Sequence, residues 1–124
     1  MLGRLTRRLR PGKRGAPSGG SGSSDDVRGD KDHLIAFASS RVGVEAFVEP
    51  PTAMTPTTVV FVAADGEWTR RRVPDAATLH KLANSLGIPS YDAAVVGYPA
   101  RMRAWSSAKA REAKERERAR RDQA

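Results

Sequence analysis

The chain of 124 residues contains no cysteine, which excludes disulfides, thiolate metal sites and a cysteine nucleophile. No apolar run approaches the roughly 20 residues that span a bilayer, and the N-terminus lacks the apolar stretch of a secretory signal. We therefore expect a cytoplasmic protein without a transmembrane segment.

Motifs for catalysis and cofactor binding are also missing. There is no dinucleotide fingerprint or phosphate-binding loop, and no nucleophile–base pair can be assigned. The two histidines, His33 and His80, fall in separate predicted helices without further ligands at suitable spacing. We interpret both as solvent-exposed rather than metal-bound. The sequence therefore predicts no catalytic, cofactor-binding or metal-binding residue.

Charge is the most informative property that is present. Residues 1–14 hold six cations and no acid, and residues 101–124 hold nine cations against four acids. The segment between them is slightly acidic, although the net charge of the chain is +8. A compact body with cationic ends suggests an anionic partner, such as nucleic acid, a ribonucleoprotein or an acidic membrane surface. The N-terminal cations are Arg4, Arg7, Arg8, Arg10, Lys13 and Arg14.

Composition divides the chain into three parts. Residues 1–31 form a basic arm and a Gly/Ser-rich linker, which we expect to be disordered. Alternatively, Leu2, Leu5 and Leu9 of the arm are spaced for a short amphipathic helix on an anionic surface. Residues 32–105 carry the periodic apolar pattern of a small core, and residues 106–124 form a solvated basic helical tail.

The pattern of the core predicts an α+β domain with a small, mainly antiparallel sheet. We expect a three-stranded meander over 44–49, 57–64 and 67–73, extended by a short strand near 92–96, and helices over 33–41, 75–86 and 99–120. Asp32 and Asp75 are predicted helix N-caps, and Gly87 a helix stop. Met102 and Trp105 are expected to attach the last helix to the body.

Asp65-Gly66 is the strongest local signal, and it predicts a two-residue hairpin turn. In that register Ala63 opposes Trp68, Phe61 opposes Arg70, and Val59 opposes Arg72. The predicted face combines an aromatic ring with two guanidinium groups, which can stack bases and contact phosphates.

A structural interpretation of the same face competes with this one. Glu45 and Glu49 of the preceding strand can neutralise Arg70 and Arg72, with Trp68 packed against a guanidinium. The position of the two arginine head groups distinguishes the alternatives.

The C-terminal helix also has two interpretations. Arg111, Lys114, Arg118 and Arg121 share a broad face that can follow a phosphate backbone. Alternatively, Lys, Arg and Glu are interleaved only for solubility, with Glu112–Arg116 and Glu117–Arg121 as i,i+4 pairs.

Residues 42–74 and 86–102, with the EPPT, DGEWTRRRVP and GYPARM stretches, resemble a small conserved family of actinobacterial proteins. The family has no established activity, so the resemblance implies no site residue. Some members carry a general oxidoreductase label, which the residues of this sequence do not support.

The leading functional hypothesis is a non-enzymatic accessory protein whose basic ends contact nucleic acid or a ribonucleoprotein. A protein-interaction or self-associating module, including a homodimer, is the alternative. A small enzyme is the third.

Overall fold

The computed structural model describes residues 24–123, with side chains from residue 27 onward. The predicted basic arm and most of the predicted linker, residues 1–23, lie outside the described residues. In chain order the elements are α1 (Ser24–Ser40), β1 (Glu45–Glu49), β2 (Thr58–Val62), β3 (Trp68–Arg72), α2 (Ala76–Leu86), β4 (Ser90–Asp92), α3 (Ala93–Val96) and α4 (Ala100–Gln123).

The four strands form one mixed sheet in the order β3-β2-β1-β4. The strands β1, β2 and β3 make the predicted antiparallel meander, and β4 adds to β1 in parallel. The fourth strand lies earlier than expected, because Asp92 accepts a hydrogen bond from the Ala94 amide and begins a single helical turn. The predicted α+β class is confirmed.

Helices cover both faces of the sheet. On one face, Val59 and Phe61 of β2 pack with Leu34 of α1 and Leu79 of α2. On the other face, the cluster contains Phe47, Val60, Val62, Ala93 and Met102. The strand β2 is therefore apolar on both sides, as its TTVVFVAA sequence predicts.

The hairpin between β2 and β3 differs from the prediction by one residue. Val62 opposes Trp68 and Val60 opposes Arg70, because the loop contains three residues, 64–66, rather than two. The amide of Gly66 donates to the carbonyl of Ala63, and the amide of Ala63 donates to the carbonyl of Glu67. With Gly66 at a φ of +96°, this is typical of a three-residue hairpin loop with glycine at the bulge.

The helix ends agree with the prediction in part. Asp75 accepts the Thr78 amide at 2.7 Å, and Gly87 ends α2 in the left-handed conformation. However, α1 begins at Ser24 and contains Asp32 in its interior, so Asp32 is not an N-cap and residues 24–31 are not part of a linker. Among the described residues, no helix is both long and apolar enough to span a membrane.

Candidate nucleic-acid interface

The helix α4 is attached to the body by its first two turns, and the rest extends beyond the body. Met102 is buried against the second cluster, and Trp105 is half-buried. From Lys109 to Gln123 every residue is exposed. This extension of 15 residues is about 22 Å long at 1.5 Å per residue.

Backbone and side-chain contacts hold the first turns in place. The guanidinium of Arg101 donates to the Ala63 carbonyl at 2.9 Å and to the Glu45 carboxylate at 2.6 Å. The Trp68 indole donates to the Ser106 hydroxyl at 2.8 Å. The hairpin loop passes so close beneath α4 that a Cβ on Gly66 would lie 2.1 Å from the Arg101 carbonyl oxygen.

One side of α4 carries a stripe of cations that points away from the body. At 3.6 residues per turn, the stripe falls within an arc of about 80°, roughly opposite the arc of Met102 and Trp105. All of its members are exposed. The cationic stripe consists of Arg103, Arg111, Lys114, Arg118 and Arg121.

Within residues 27–123, no ion pair or side-chain hydrogen bond involves the cationic stripe. The ion pairs of α4 outside its docked turns are Lys109–Glu112 at 3.5 Å and Glu117–Arg120. Both pairs join residues three positions apart. The i,i+4 ion pairs Glu112–Arg116 and Glu117–Arg121, which the sequence predicts, are not formed among the described residues. Glu112 and Glu117 therefore pair with cations outside the stripe, and the head groups of the stripe stay available to an anion.

Arg103 extends the face predicted from the sequence by two turns toward the body. The sequence contains the signal, because Arg103 lies 11 residues before Lys114 and is therefore within about 20° of it around the helix. Sequence reasoning missed Arg103 because it treated the first turns of this helix only as the docking segment.

The predicted aromatic and cationic face of the hairpin is not an open surface. Trp68 is half-buried beneath α4, and the Arg70 guanidinium lies 5.3 Å from its ring centroid. Two nitrogens of Arg70 donate to Glu49, at 2.9 and 3.0 Å. For Arg70 the structural interpretation therefore holds, because its guanidinium is already paired with Glu49 and packed against Trp68.

Arg72 lies apart from Trp68 and Arg70. Its guanidinium is 3.9 Å from Asp30 of α1, which also lies 3.6 Å from Arg71. The predicted partner Glu45 instead binds Arg101 and accepts from Tyr91 at 3.3 Å. The residues that the predicted register places on one face therefore lie on both sides of the sheet.

The carboxylate of Glu49 has an unusually complete set of donors. It accepts hydrogen bonds from Arg70, from Thr58 at 2.6 Å and from Tyr98. Burial raises the pKa of Glu49, but these hydrogen bonds outweigh burial and lower the pKa below its usual range. A carboxylate held in its charged form and bonded by three groups is a poor general acid or base at neutral pH, so its arrangement is structural.

The histidines occupy different sites. His33 is half-buried and shares a 2.8 Å hydrogen bond with Thr69, so the prediction that it is solvent-exposed is wrong. His80 is exposed, as predicted, and hydrogen-bonds Ser90 at 2.6 Å. Over residues 27–123, no group of three or more His, Asp or Glu side chains is placed to hold a metal ion.

Of the predicted contact residues, the structure brings together Arg111, Lys114, Arg118 and Arg121. The N-terminal six, from Arg4 to Arg14, lie outside the described residues. No family model, curated protein or solved structure compared with the chain matches it.

Proposed function

We infer that the protein is a non-enzymatic, cytoplasmic accessory protein that binds nucleic acid, alone or within a ribonucleoprotein, through the cationic stripe of α4. The stripe would neutralise backbone phosphates and release their counterions, which gives affinity without reading sequence. The observation that carries this proposal is the stripe itself, since its cations are exposed, without an ion-pair partner among the described residues and directed away from the body.

Competing arrangements explain the unpaired stripe less well. If the charges of α4 served only solubility, its ion pairs would not have to be confined to cations outside the stripe. Among the described residues, the paired cations of α4 are Arg101, Lys109 and Arg120, and all three lie outside the stripe. The arm adds six cations without an acid, and these would strengthen the same sequence-independent contact.

The test compares two triple variants of α4 that remove the same charge. One variant combines Arg111→Gln, Lys114→Gln and Arg118→Gln, and the control combines Lys109→Gln, Arg116→Gln and Arg120→Gln. Glutamine keeps helix propensity close to that of arginine and lysine. Binding of a fluorescein-labelled random-sequence DNA duplex is measured by anisotropy between 50 and 200 mM KCl.

We expect the stripe variant to reduce the slope of log K against log[salt] by about 2.7, since each lost phosphate contact removes about 0.9. The control variant should change the slope by less than half as much. Equal slopes for the two variants would assign the binding to net charge alone. Failure of the unmodified chain to bind at 50 mM KCl would refute the proposal.

A truncation tests whether the ends, rather than the body, carry the affinity. We expect a chain of residues 15–105 to keep the circular dichroism spectrum of its sheet and lose duplex binding at 50 mM KCl. If it retains full affinity for DNA and RNA, the contact lies on the body and the stripe is not the interface.

A further inference from the structure

An apolar groove lies on the face of the sheet opposite α4, between α1, α2 and the end of β3. Its volume is about 610 Å³, within the roughly 300–1,000 Å³ typical of ligand sites. Leu34 and Leu79 are nearly fully buried and form its base. Val27 is 45% exposed and, with Leu82, continues the apolar surface outward.

The rim of the groove is cationic. Lys31 and Lys81 lie on its two helices, and Arg72 lies at the end of β3, while none of the carboxylates of residues 27–123 lines it. The nearest ion pair of Arg72, with Asp30 at 3.9 Å, is long enough to be weak. An apolar trough with a positive rim complements a ligand that is apolar on one side and acidic on the other.

The chain's own N-terminal residues do not have this chemistry. Residues 1–14 contain Leu2, Leu5 and Leu9 at helical spacing, but they also contain six cations and no acid. Their charge would be repelled by a rim of the same sign. The charge of the rim therefore favours an acidic segment of another protein over the cationic residues 1–14 as the occupant of the groove.

We propose that this groove docks an acidic amphipathic helix of a partner protein. Its apolar residues, spaced i, i+3, i+4 and i+7, enter the groove between α1 and α2, and its carboxylates contact Lys31, Arg72 and Lys81. Since α4 packs on the opposite face of the sheet, the groove can be filled while the cationic stripe stays exposed. The proposal is therefore independent of nucleic-acid binding.

The probe is a fluorescein-labelled peptide of about 18 residues, with leucine at these helical positions and glutamate elsewhere. A second peptide replaces each glutamate with lysine. Anisotropy with the full chain should show saturable binding of the glutamate peptide and at least about tenfold weaker binding of the lysine peptide.

Two variants of the groove and one matched control locate the binding. Lys81→Glu and Leu82→Glu should each weaken the glutamate peptide about tenfold or more. Lys114→Glu on α4 makes the same change in net charge as Lys81→Glu and should leave peptide affinity within about twofold. Because Leu82 is partly buried, its variant is first checked by circular dichroism; if it does not fold, Lys81→Glu decides.

Several results would overturn the proposal. These are no saturable binding, equal binding of the lysine peptide, or an equal loss in Lys114→Glu and Lys81→Glu. Deletion of residues 1–14 that raises peptide affinity about tenfold would place the arm in the groove. A dimer in sedimentation that Lys81→Glu dissociates would place a second copy there.

Discussion

Replacing Gly66 with alanine tests how α4 is attached to the body. An added Cβ would lie 2.1 Å from the Arg101 carbonyl oxygen and 2.9 Å from the Trp105 Cβ, whereas ordinary contacts are 3.4–4 Å. The first turns of α4 would have to move by roughly 1 Å or more, which costs about 1–3 kcal/mol when a packed region is overfilled. The positive φ of Gly66, +96°, adds about 1–2 kcal/mol for a residue with a side chain.

We therefore expect Gly66→Ala to lower the free energy of unfolding by about 2–5 kcal/mol, a large share of the roughly 5–15 kcal/mol of a small domain. Two other glycines separate the contributions. Gly87 also has a positive φ, +73°, but nothing lies within 4 Å of an added Cβ, so Gly87→Ala should cost only the backbone strain of about 1–2 kcal/mol. Gly29 lies inside α1 with open space around it, and Gly29→Ala should stabilise by about 0.5–1 kcal/mol.

Urea unfolding, followed by tryptophan fluorescence and circular dichroism, measures all three variants. Trp68 and Trp105 both lie at the junction of α4 with the hairpin, so fluorescence reports on the attachment directly. A cost of Gly66→Ala within about 1 kcal/mol of that of Gly87→Ala would refute the reasoning, because backbone strain alone would then explain it.

Three further predictions concern the body. The pKa of Glu49 in the folded protein lies below the unfolded value of about 4.5. The stabilisation that the Glu49 carboxylate gives the fold is therefore present above pH 4.5 and is lost as the pH falls through the folded pKa. In urea titrations at different pH, Glu49→Gln should reduce this loss of unfolding free energy at acidic pH. Burial and, next, the charge of Arg71 lower the pKa of His33 below 6.5, so unfolding free energy should decline as the pH falls from 6.5 toward the folded pKa, and His33→Gln should remove that decline. Leu79, 1% exposed, should cost about 2–5 kcal/mol when replaced by alanine, measured as a shift of the urea midpoint with an unchanged m-value.

The elements that could be predicted are those whose signals are local. Asp75 and Gly87 bracket α2 because a cap and a left-handed stop depend only on the residues around them. The strand β2 is identifiable because an uninterrupted apolar run fits a strand with both faces covered. In each case the deciding interaction lies within a few residues of the signal.

The predicted register of the hairpin was wrong because the dipeptide Asp65-Gly66 is compatible with two types of hairpin loop. The dipeptide fits a two-residue turn, and it also fits a three-residue loop in which glycine takes the bulge position. The close approach of Gly66 to the Arg101 carbonyl accompanies the longer loop, and this contact spans 35 positions of sequence that no local pattern reports. A shift of one residue in the register moves both Trp68 and Arg70 to the other face of the sheet.

The ion pair between Glu49 and Arg70 depends on this register. Glu49 opposes Thr58, and Val60 opposes both Phe47 and Arg70, so Glu49 and Arg70 share a face only when the loop has three residues. In the predicted register Arg70 would oppose Phe61, whose side chain points to the other side of the sheet. The predicted pair and the predicted hairpin were therefore incompatible, and the register between β1 and β2, which local patterns leave open, decides between them.

The body also determines how the cations of α4 are presented. A helix of some 15 residues alone is marginal in water, because forming its first turn is unfavourable. In this fold the first turns are already fixed by Met102, Arg101 and the contact above Gly66, so each later residue adds a hydrogen bond without a new nucleus. The same contacts fix the rotation of the helix: because Met102 faces the sheet, Arg111 and Arg118 must face away from it. A phosphate backbone would then meet cations already in phase, and less conformational entropy would be lost on binding than with a tail that had to order first.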